Sequence, residues 1–216
     1  MPSRDVAGRL LKRASRLNLF IAEPLAAQLA AYYELLSGWN KKINLTSIRD
    51  LDDGIDRLLL EPIAAVRHVS PTVGSIIDIG SGGGSPAIPF KLALPAARLT
   101  MVEVKARKSA FLREAIRRLE LTNAHVETAR YEELLTRPEL HEANDVVSIR
   151  AVRIETRVLT TLQAFLAPGG SLVMFRGPEG PQVPSTIVPP LEFAGTYPLL
   201  DSLQSRLTVL TKRRIR

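Results

Sequence analysis

Glycines and acids near the middle of the chain occur at a spacing that could hold a nucleotide-type cofactor. Asp78 follows the β-branched run Ile76–Ile77 and precedes Gly80 and Gly82, which belong to a set of four glycines within five positions. Branched residues favour a buried strand, and glycines let the backbone turn sharply and a ligand approach closely. A strand, a glycine-rich turn and a helix form the nucleotide crevice of an open α/β sheet.

The acids around this turn indicate which cofactor it would take. A dinucleotide pattern would place Gly or Ala at position 85, where this chain has Ser85, and the Asp78 carboxylate would repel a pyrophosphate. S-adenosyl-L-methionine carries a sulfonium, an ammonium and no phosphate, so an acid at the strand tip suits it. Glu103 ends the next predicted strand and could accept hydrogen bonds from both ribose hydroxyls. The loop therefore predicts an S-adenosyl-L-methionine site and disfavours a nicotinamide enzyme.

The length of the chain and the distribution of its charges limit the classes of protein to which it can belong. The chain has 216 residues, which suits one α/β domain with a small extension. No apolar run approaches the roughly 20 residues that span a bilayer. Charges at Arg4, Asp5 and Arg9 interrupt the apolar core that a secretory signal needs. We therefore expect a cytoplasmic protein with no membrane segment.

Cysteine and histidine usage narrows the chemistry further. The chain has no cysteine, which excludes disulfides, thiolate zinc sites, iron–sulfur clusters and a cysteine nucleophile. The three histidines, His68, His125 and His141, are scattered, so we expect no metal site. The net charge of +7 fits a polyanionic partner, whose phosphates would supply much of the affinity. A basic solvated surface would give the same charge.

The N-terminal part has helical spacing. Residues 4–18 form either a basic amphipathic helix or a partly ordered arm, and phosphate contact and a solvated end are equally open. A second helix is expected at 24–38, with a proline in its first turn. A polar loop at 39–47 follows, and its Trp39 is expected in the core rather than as a base-stacking platform. Asp50 could cap a third helix.

Beyond these helices, strand and helix patterns alternate, which favours a parallel sheet with both faces covered. Five strands fit the alternation, and two more, at 191–198 and 206–212, would close the sheet as an antiparallel edge. The proline-rich stretch 181–190 would not form a central strand. We expect an α/β fold with a mostly parallel, Rossmann-like, seven-stranded sheet at 71–216 and a helical cap at 1–70.

Several motifs, in their order and spacing over about residues 30–180, resemble the GidB/RsmG family. They are Trp39-Asn40-Lys41 with Asn44-Leu45-Thr46, the glycine loop from Asp78 to Pro89, Lys108 to Arg113, Arg150-Ala151, and Gly177 after the fifth strand. Members of this family are bacterial methyltransferases that modify N7 of a guanine in the decoding-region loop of 16S ribosomal RNA. The resemblance implies the class I S-adenosyl-L-methionine-dependent methyltransferase fold. It also implies a partner: 16S ribosomal RNA, in the small ribosomal subunit or an assembly intermediate.

The resemblance implies roles for single residues in the cofactor site. Gly80 and Ser85 match loop positions that contact the methionyl part. Glu103 matches the acid that binds the ribose. Tyr131 and Glu132 match the pair near the adenine.

Three arginines are placed toward the substrate. Arg150 follows the fourth strand at the mouth of the site and matches a family arginine, and the resemblance places it among the cofactor-binding residues as well. Arg176 stands where the family favours lysine, and Arg57 keeps the arginine of a family motif in the third helix. The residues that depart from this motif are Leu58, Glu61 and Pro62. We expect this altered helix to face the RNA.

Guanine N7 carries an exposed lone pair, so its methylation needs no general base and positioning can supply most of the acceleration. The fourth strand ends in Ser148-Ile149-Arg150 rather than in the N/D-P-P-Y/F turn of amine methyltransferases. We expect Arg150, with Arg176, to hold guanine O6 or nearby phosphates. The alternative is a salt bridge from Arg150 to Glu103 or Glu132 that shapes the pocket. No residue is assigned a catalytic role.

Two other functions stay open at this point. A small-molecule methyltransferase of the same fold is disfavoured by the basic helix at 105–120 and the basic N-terminus. A non-catalytic RNA- or ribosome-binding protein that has kept the fold is disfavoured by the intact glycine loop and its two acids.

Overall fold

The computed structural model describes residues 3–48, 50–150, 154–178 and 187–214. The strands within these ranges are β1 (Ser75–Ile79), β2 (Arg98–Val102), β3 (Ala124–Glu127), β4 (Asn144–Arg150), β5 (Leu166–Arg176), β6 (Leu191–Pro198) and β7 (Arg206–Lys212). They form one seven-stranded sheet in the order β3-β2-β1-β4-β5-β7-β6. β1 to β5 are parallel, and β7 runs antiparallel between β5 and β6. The expected mostly parallel sheet with an antiparallel edge is confirmed.

Seven α-helices lie within the same ranges. They are α1 (Ser3–Arg16), α2 (Glu23–Ile43), α3 (Leu51–Ile55), α4 (Glu61–Val66), α5 (Ala87–Ala93), α6 (Ala106–Arg118) and α7 (Thr156–Phe165). A π-helical turn, Asp56–Leu60, joins α3 to α4 without a break. Asp50 caps α3 as expected, because its carboxylate accepts hydrogen bonds from the N–H groups of Asp52 and Asp53 at 2.8 and 3.0 Å.

Alternate residues of β1 belong to two different hydrophobic cores, as the two-residue period of a strand requires. Ile76 of β1 belongs to a core that also holds buried side chains from all the helices between α1 and α6. Ile77 and Ile79 belong to a second core, which α7 completes. The N-terminal helices therefore share one continuous core with the sheet.

The second helix is longer than expected. The sequence interpretation ended it at Gly38 and placed a polar loop after it, but α2 continues to Ile43 and ends at Asn44, whose φ is +54°. Packing overrides the low helix propensity of glycine here, because Trp39 meets the ring of Phe111 edge-on at 5.7 Å and lies against the core. The expectation that Trp39 packs rather than stacks on bases agrees with this contact.

The first helix is ordered by ion pairs with the third. Arg13 donates to both carboxylate oxygens of Asp56 at 2.7 Å, and it contacts Asp52 at 2.9 Å. Arg9 lies 3.4 Å from Asp52, and Ser202 also donates to Asp56, at 2.9 Å. The N-terminal segment is thus a docked helix rather than a partly ordered arm, and two of its arginines bind protein carboxylates.

Some of the expectations drawn from the sequence concern residues outside the described ranges. Pro181 and Pro184 of the proline-rich stretch lie outside the described residues, as do Ala151, the side chain of Arg4 and the last two residues of the basic tail. Within the described ranges, no helix combines the length and apolar character needed to cross a membrane.

Candidate functional site

The glycine loop leaves β1 and turns back against the end of β2. The N–H groups of Gly80 and Ser81 both donate to the carbonyl of Val102, at 2.9 and 3.0 Å. Gly80 and Gly82 have φ values of +74° and +53°, in the region that only glycine adopts readily. A Cβ added to Gly80 would meet no other atom within 4 Å. The loop backbone is therefore open at this point, as the close approach of a ligand would require.

Glu103 holds the glycine loop through hydrogen bonds to backbone N–H groups. Its carboxylate accepts the N–H of Gly82 at 2.9 Å with one oxygen and the N–H of Lys105 at 2.8 Å with the other. The side chain is buried. Since a carboxylate can accept about four hydrogen bonds, each oxygen retains a free acceptor position. Ribose hydroxyls could use these positions without releasing the loop.

Asp78 lies behind the loop and not on the cavity surface. It is 1% exposed and accepts a 2.5 Å hydrogen bond from the Ser148 hydroxyl. Burial raises its pKa above the ordinary value for aspartate, while the hydrogen bond from Ser148 acts in the opposite direction. When ionised, it places a negative charge beneath the loop that is poorly screened by solvent.

The N-terminal helices also hold the loop. The hydroxyl of Tyr32 in α2 donates to the carbonyl of Gly83 at 2.6 Å, and this tyrosine is fully buried. Burial raises the pKa of Tyr32, so the phenol keeps its proton. The Ser85 hydroxyl donates to the carbonyl of Leu58 in the π-helical turn at 3.0 Å. Two segments of the N-terminal part, α2 and the π-helical turn, are thereby hydrogen-bonded to the loop.

A cavity of about 720 Å³ opens beside the loop, within the size range of small-molecule sites. The cavity brings together six of the ten predicted site residues, namely Gly80, Gly82, Ser85, Arg57, Arg150 and Arg176. Asp78 and Glu103 support its wall from behind. Tyr131 and Glu132 do not line it, and Tyr131 packs instead against the second core beside the sheet.

Arg150 is paired, but not with the acids named from sequence. Its Nη1 lies 2.9 Å from Oε2 of Glu61 and donates to the carbonyl of Arg57 at 2.9 Å, and its guanidinium lies 4.6 Å from the ring centre of Phe175. The expected alternatives, Glu103 and Glu132, are therefore wrong. Glu61 was expected on an RNA-facing helix, but it is 1% exposed and is one of the residues that line the cavity.

Unpaired guanidinium nitrogens also line the cavity. Nε and Nη2 of Arg150 and all three nitrogens of Arg176 are buried and have no hydrogen-bond partner among the described residues. Burial lowers the pKa of both arginines, but an arginine stays charged in proteins. Buried donors without partners are costly, so these groups are suited to oxygen acceptors on a bound molecule.

Three contributors were missed from sequence. Tyr32 carried no signal beyond its place in an amphipathic helix. Ser148 lies in an apolar strand, where a lone hydroxyl could have suggested a buried partner. Glu61 interrupts an apolar run four residues after Arg57, and that spacing could have indicated a buried ion pair. Among the described residues, no cluster of histidines and acids could hold a metal.

The fold and the glycine loop define the class I, Rossmann-like domain of S-adenosylmethionine-dependent methyltransferases. Solved structures with this fold include a SAM dependent methyltransferase from Aquifex aeolicus, with a TM-score of 0.54, 13% identity, and 79% of this chain and 98% of that chain covered. They also include the cyclase SpnF, with a TM-score of 0.59, 14% identity, and 87% and 94% covered. Since one is named a methyltransferase and the other a cyclase, these likenesses show the fold alone.

Sequence comparison narrows the class to a family. Residues 25–182 match the GidB family, described as rRNA small subunit methyltransferase G. Proteins named ribosomal RNA small subunit methyltransferase G are 38% identical in Xanthomonas axonopodis, over 80% of this chain and 78% of that one. In Ralstonia nicotianae the identity is 34%, over 80% and 79%. The chain belongs to this family, and the resemblance of its motifs is confirmed.

Proposed function

We propose that this protein transfers a methyl group from S-adenosyl-L-methionine to N7 of a guanine in 16S ribosomal RNA. The observation that carries the proposal is the family match over residues 25–182, which includes both the glycine loop and the arginine-lined cavity. The names of the relatives support ribosomal RNA of the small subunit as substrate. The guanine N7 position rests on the family resemblance and on the chemistry of the cavity.

The cofactor site is proposed at the glycine loop. Gly80 and Gly82 would let the methionyl part approach the backbone, and the free acceptor positions of Glu103 would bind the ribose. Asp78 would favour the cationic sulfonium and ammonium through its buried charge. S-adenosyl-L-methionine, when bound, supplies an electrophilic methyl group. Calorimetry on Asp78→Ala should show no cofactor binding, and binding at wild-type affinity would mean that this assignment is wrong.

The adenine of S-adenosyl-L-methionine is proposed to lie near Tyr131 and Glu132. Its methionyl part is proposed to contact Ser85. Tyr131 and Glu132 follow β3, at the edge of the sheet where Glu103 follows β2. They lie outside the described cavity, so it covers only part of the length that the cofactor needs. The hydroxyl of Ser85 already donates to the carbonyl of Leu58, but its oxygen can still accept hydrogen bonds.

Substrate positioning is proposed for the three cavity arginines. N7 attacks with its own lone pair, so the site needs donors that hold the base and no group that removes a proton. The unpaired nitrogens of Arg150 and Arg176 would bind O6 or phosphate oxygens. Arg57 lies at the same cavity, with its Nη1 3.7 Å from the position of a Cβ on Gly177, and would contribute to phosphate binding.

The rest of the molecule would bind the larger RNA. Residues 1–70 are proposed as a helical cap on a methyltransferase domain at 71–216. The exposed basic side chains of α6 would contact phosphates. They are Arg107, Arg113, Arg117 and Arg118. The proposed setting is the cytoplasm, on the small ribosomal subunit or an assembly intermediate.

The deciding experiment is transfer of a tritiated methyl group to small subunits and to naked 16S ribosomal RNA, both from a strain that lacks this protein. Digestion of the RNA and nucleoside analysis should give N7-methylguanosine at one position. A different methylated nucleoside would refute guanine N7. Cofactor binding with no transfer to RNA would favour a small-molecule methyltransferase, and an absence of both would favour a non-catalytic RNA-binding protein.

A further inference from the structure

Glu61 brings a negative charge to a cavity otherwise lined by cations and neutral groups. Among the described lining residues it is the one carboxylate, beside Arg57, Arg150 and Arg176. Its side chain is 1% exposed, and neither oxygen has a partner in hydrogen-bond geometry. Oε2 lies at ion-pair distance from Arg150, and Oε1 is 3.9 Å from Arg57. The carboxylate therefore keeps most of its capacity to accept hydrogen bonds.

We propose that Glu61 determines guanine specificity by accepting hydrogen bonds from N1–H and the N2 amino group of the target base. The inference rests on the proposed function and adds the group that selects the base. Guanine presents two adjacent donors on this edge, and a carboxylate has two oxygens to accept them. Adenine presents an acceptor at N1, which the carboxylate would repel.

The reaction itself limits how the arginines can hold the base. An arginine fork on guanine most often spans O6 and N7, but that geometry would occupy the N7 lone pair that must attack the methyl group. Arg150 and Arg176 can therefore use O6 or phosphates only. The opposite edge needs an acceptor, and Glu61 is the one carboxylate among the described residues that line the cavity.

Charge development gives Glu61 a second effect. Methylation at N7 leaves the base with one additional positive charge, and three arginines line the same cavity. Their repulsion of that charge would raise the barrier in a poorly hydrated site. A carboxylate on the N1 and N2 donors offsets the repulsion, and most strongly where the charge has developed. Glu61 should therefore affect kcat as well as KM.

The test is a double-mutant cycle that combines the Glu61→Gln substitution in the protein with the replacement of guanosine by inosine in the RNA. Inosine is guanosine without the N2 amino group. Small-subunit RNA is prepared with guanosine or inosine at the position that the wild-type protein methylates, and kcat/KM is measured for each. Loss of a hydrogen bond to a charged acceptor should cost the wild type about 10- to 100-fold on inosine. Glu61→Gln should be slower on guanosine, and inosine should then cost it less than about threefold.

Glu34→Gln is the matched control, since Glu34 has a buried oxygen without a partner but lines a different groove beside Trp39. For Glu34→Gln, replacing guanosine by inosine should lower kcat/KM by the same factor as for the wild type. A Glu61→Gln protein that also keeps the full penalty would show that Glu61 only shapes the pocket, and would overturn the proposal. If Glu61→Gln does not fold, equal wild-type rates on the two RNAs overturn it, and a 10-fold or larger preference for guanosine supports it. Failure of the proposed function would show separately, as no methylation of guanosine by the wild type.

Discussion

Replacing Tyr32 by phenylalanine should uncouple the N-terminal helices from the cofactor loop. The Tyr32 hydroxyl donates to the Gly83 carbonyl at 2.6 Å in a fully buried position. Phenylalanine keeps the ring and its packing but leaves that carbonyl without its donor. The change therefore isolates one hydrogen bond between the cap and the loop.

The size of the effect follows from the burial of both groups. A buried polar group left without a partner costs about 1–3 kcal/mol. For a chain of this size each kcal/mol lowers Tm by about 2–4 °C, so Tm should fall by roughly 2–12 °C. If about 1 kcal/mol of the loss is expressed at the loop, the Kd for S-adenosyl-L-methionine should rise about fivefold.

Scanning calorimetry gives the change in Tm, and titration calorimetry gives Kd. Tyr33→Phe is the control, because Tyr33 is the next residue of α2 and its hydroxyl interacts with Ser37 in the same helix. It should leave Kd unchanged. A Tyr32→Phe protein with wild-type Tm and Kd would show that this hydrogen bond does not support the loop, and would refute the reasoning.

Three further predictions concern buried charges. Arg13→Ala should lower the free energy of unfolding by about 2–3 kcal/mol. This is less than the roughly 3–5 kcal/mol lost when a fully buried ion pair is broken, because part of Arg13 is exposed. Urea unfolding measures the change, and a loss under about 0.5 kcal/mol would contradict the importance of the bond between Arg13 and Asp56. Burial raises the pKa of Asp78, so the folded state binds a proton more tightly than the unfolded chain, and stability is lost as pH rises from the ordinary pKa through the raised one. Asp78→Asn should not lose stability in this way. Plots of unfolding free energy against pH for the two proteins should differ in slope by at most about 1.4 kcal/mol per pH unit. Parallel plots would count against a raised pKa for Asp78. Glu103→Gln should raise the Kd for S-adenosyl-L-methionine about tenfold or more, since it weakens both the bond to the loop and the ribose acceptor, whereas Glu127→Gln on β3 should not; equal Kd values for these two variants would remove Glu103 from the site.

The glycine loop could be predicted because its signal is local. A branched strand, glycines that need positive φ, and an acid at the next strand end all lie within one βαβ unit, and the structure has each of these features. The same holds for the Asp50 cap, which depends on N–H groups two and three residues away. Backbone chemistry of this kind depends little on the rest of the fold.

The pairing inside the cavity could not be predicted in the same way. Glu61 and Arg150 lie far apart in sequence and meet only because the end of β4 lies beside the π-helical turn and the start of α4. Charge alone made Glu103 and Glu132 equally reasonable partners for Arg150. The length of α2 was missed for a similar reason, since the contact of Trp39 with Phe111 in α6 is a tertiary contact.

The position of β7 has a consequence for how the sheet is completed. β7 lies between β5 and β6 but follows both in the chain, and β6 pairs with no other strand in the described sheet. While β7 is not in place, β6 has no partner strand and the apolar edge of β5 stays open. The sheet closes only when β7 arrives. Until then the chain exposes a strand edge that could pair with other chains, so a variant without β7 should aggregate more readily than the wild type.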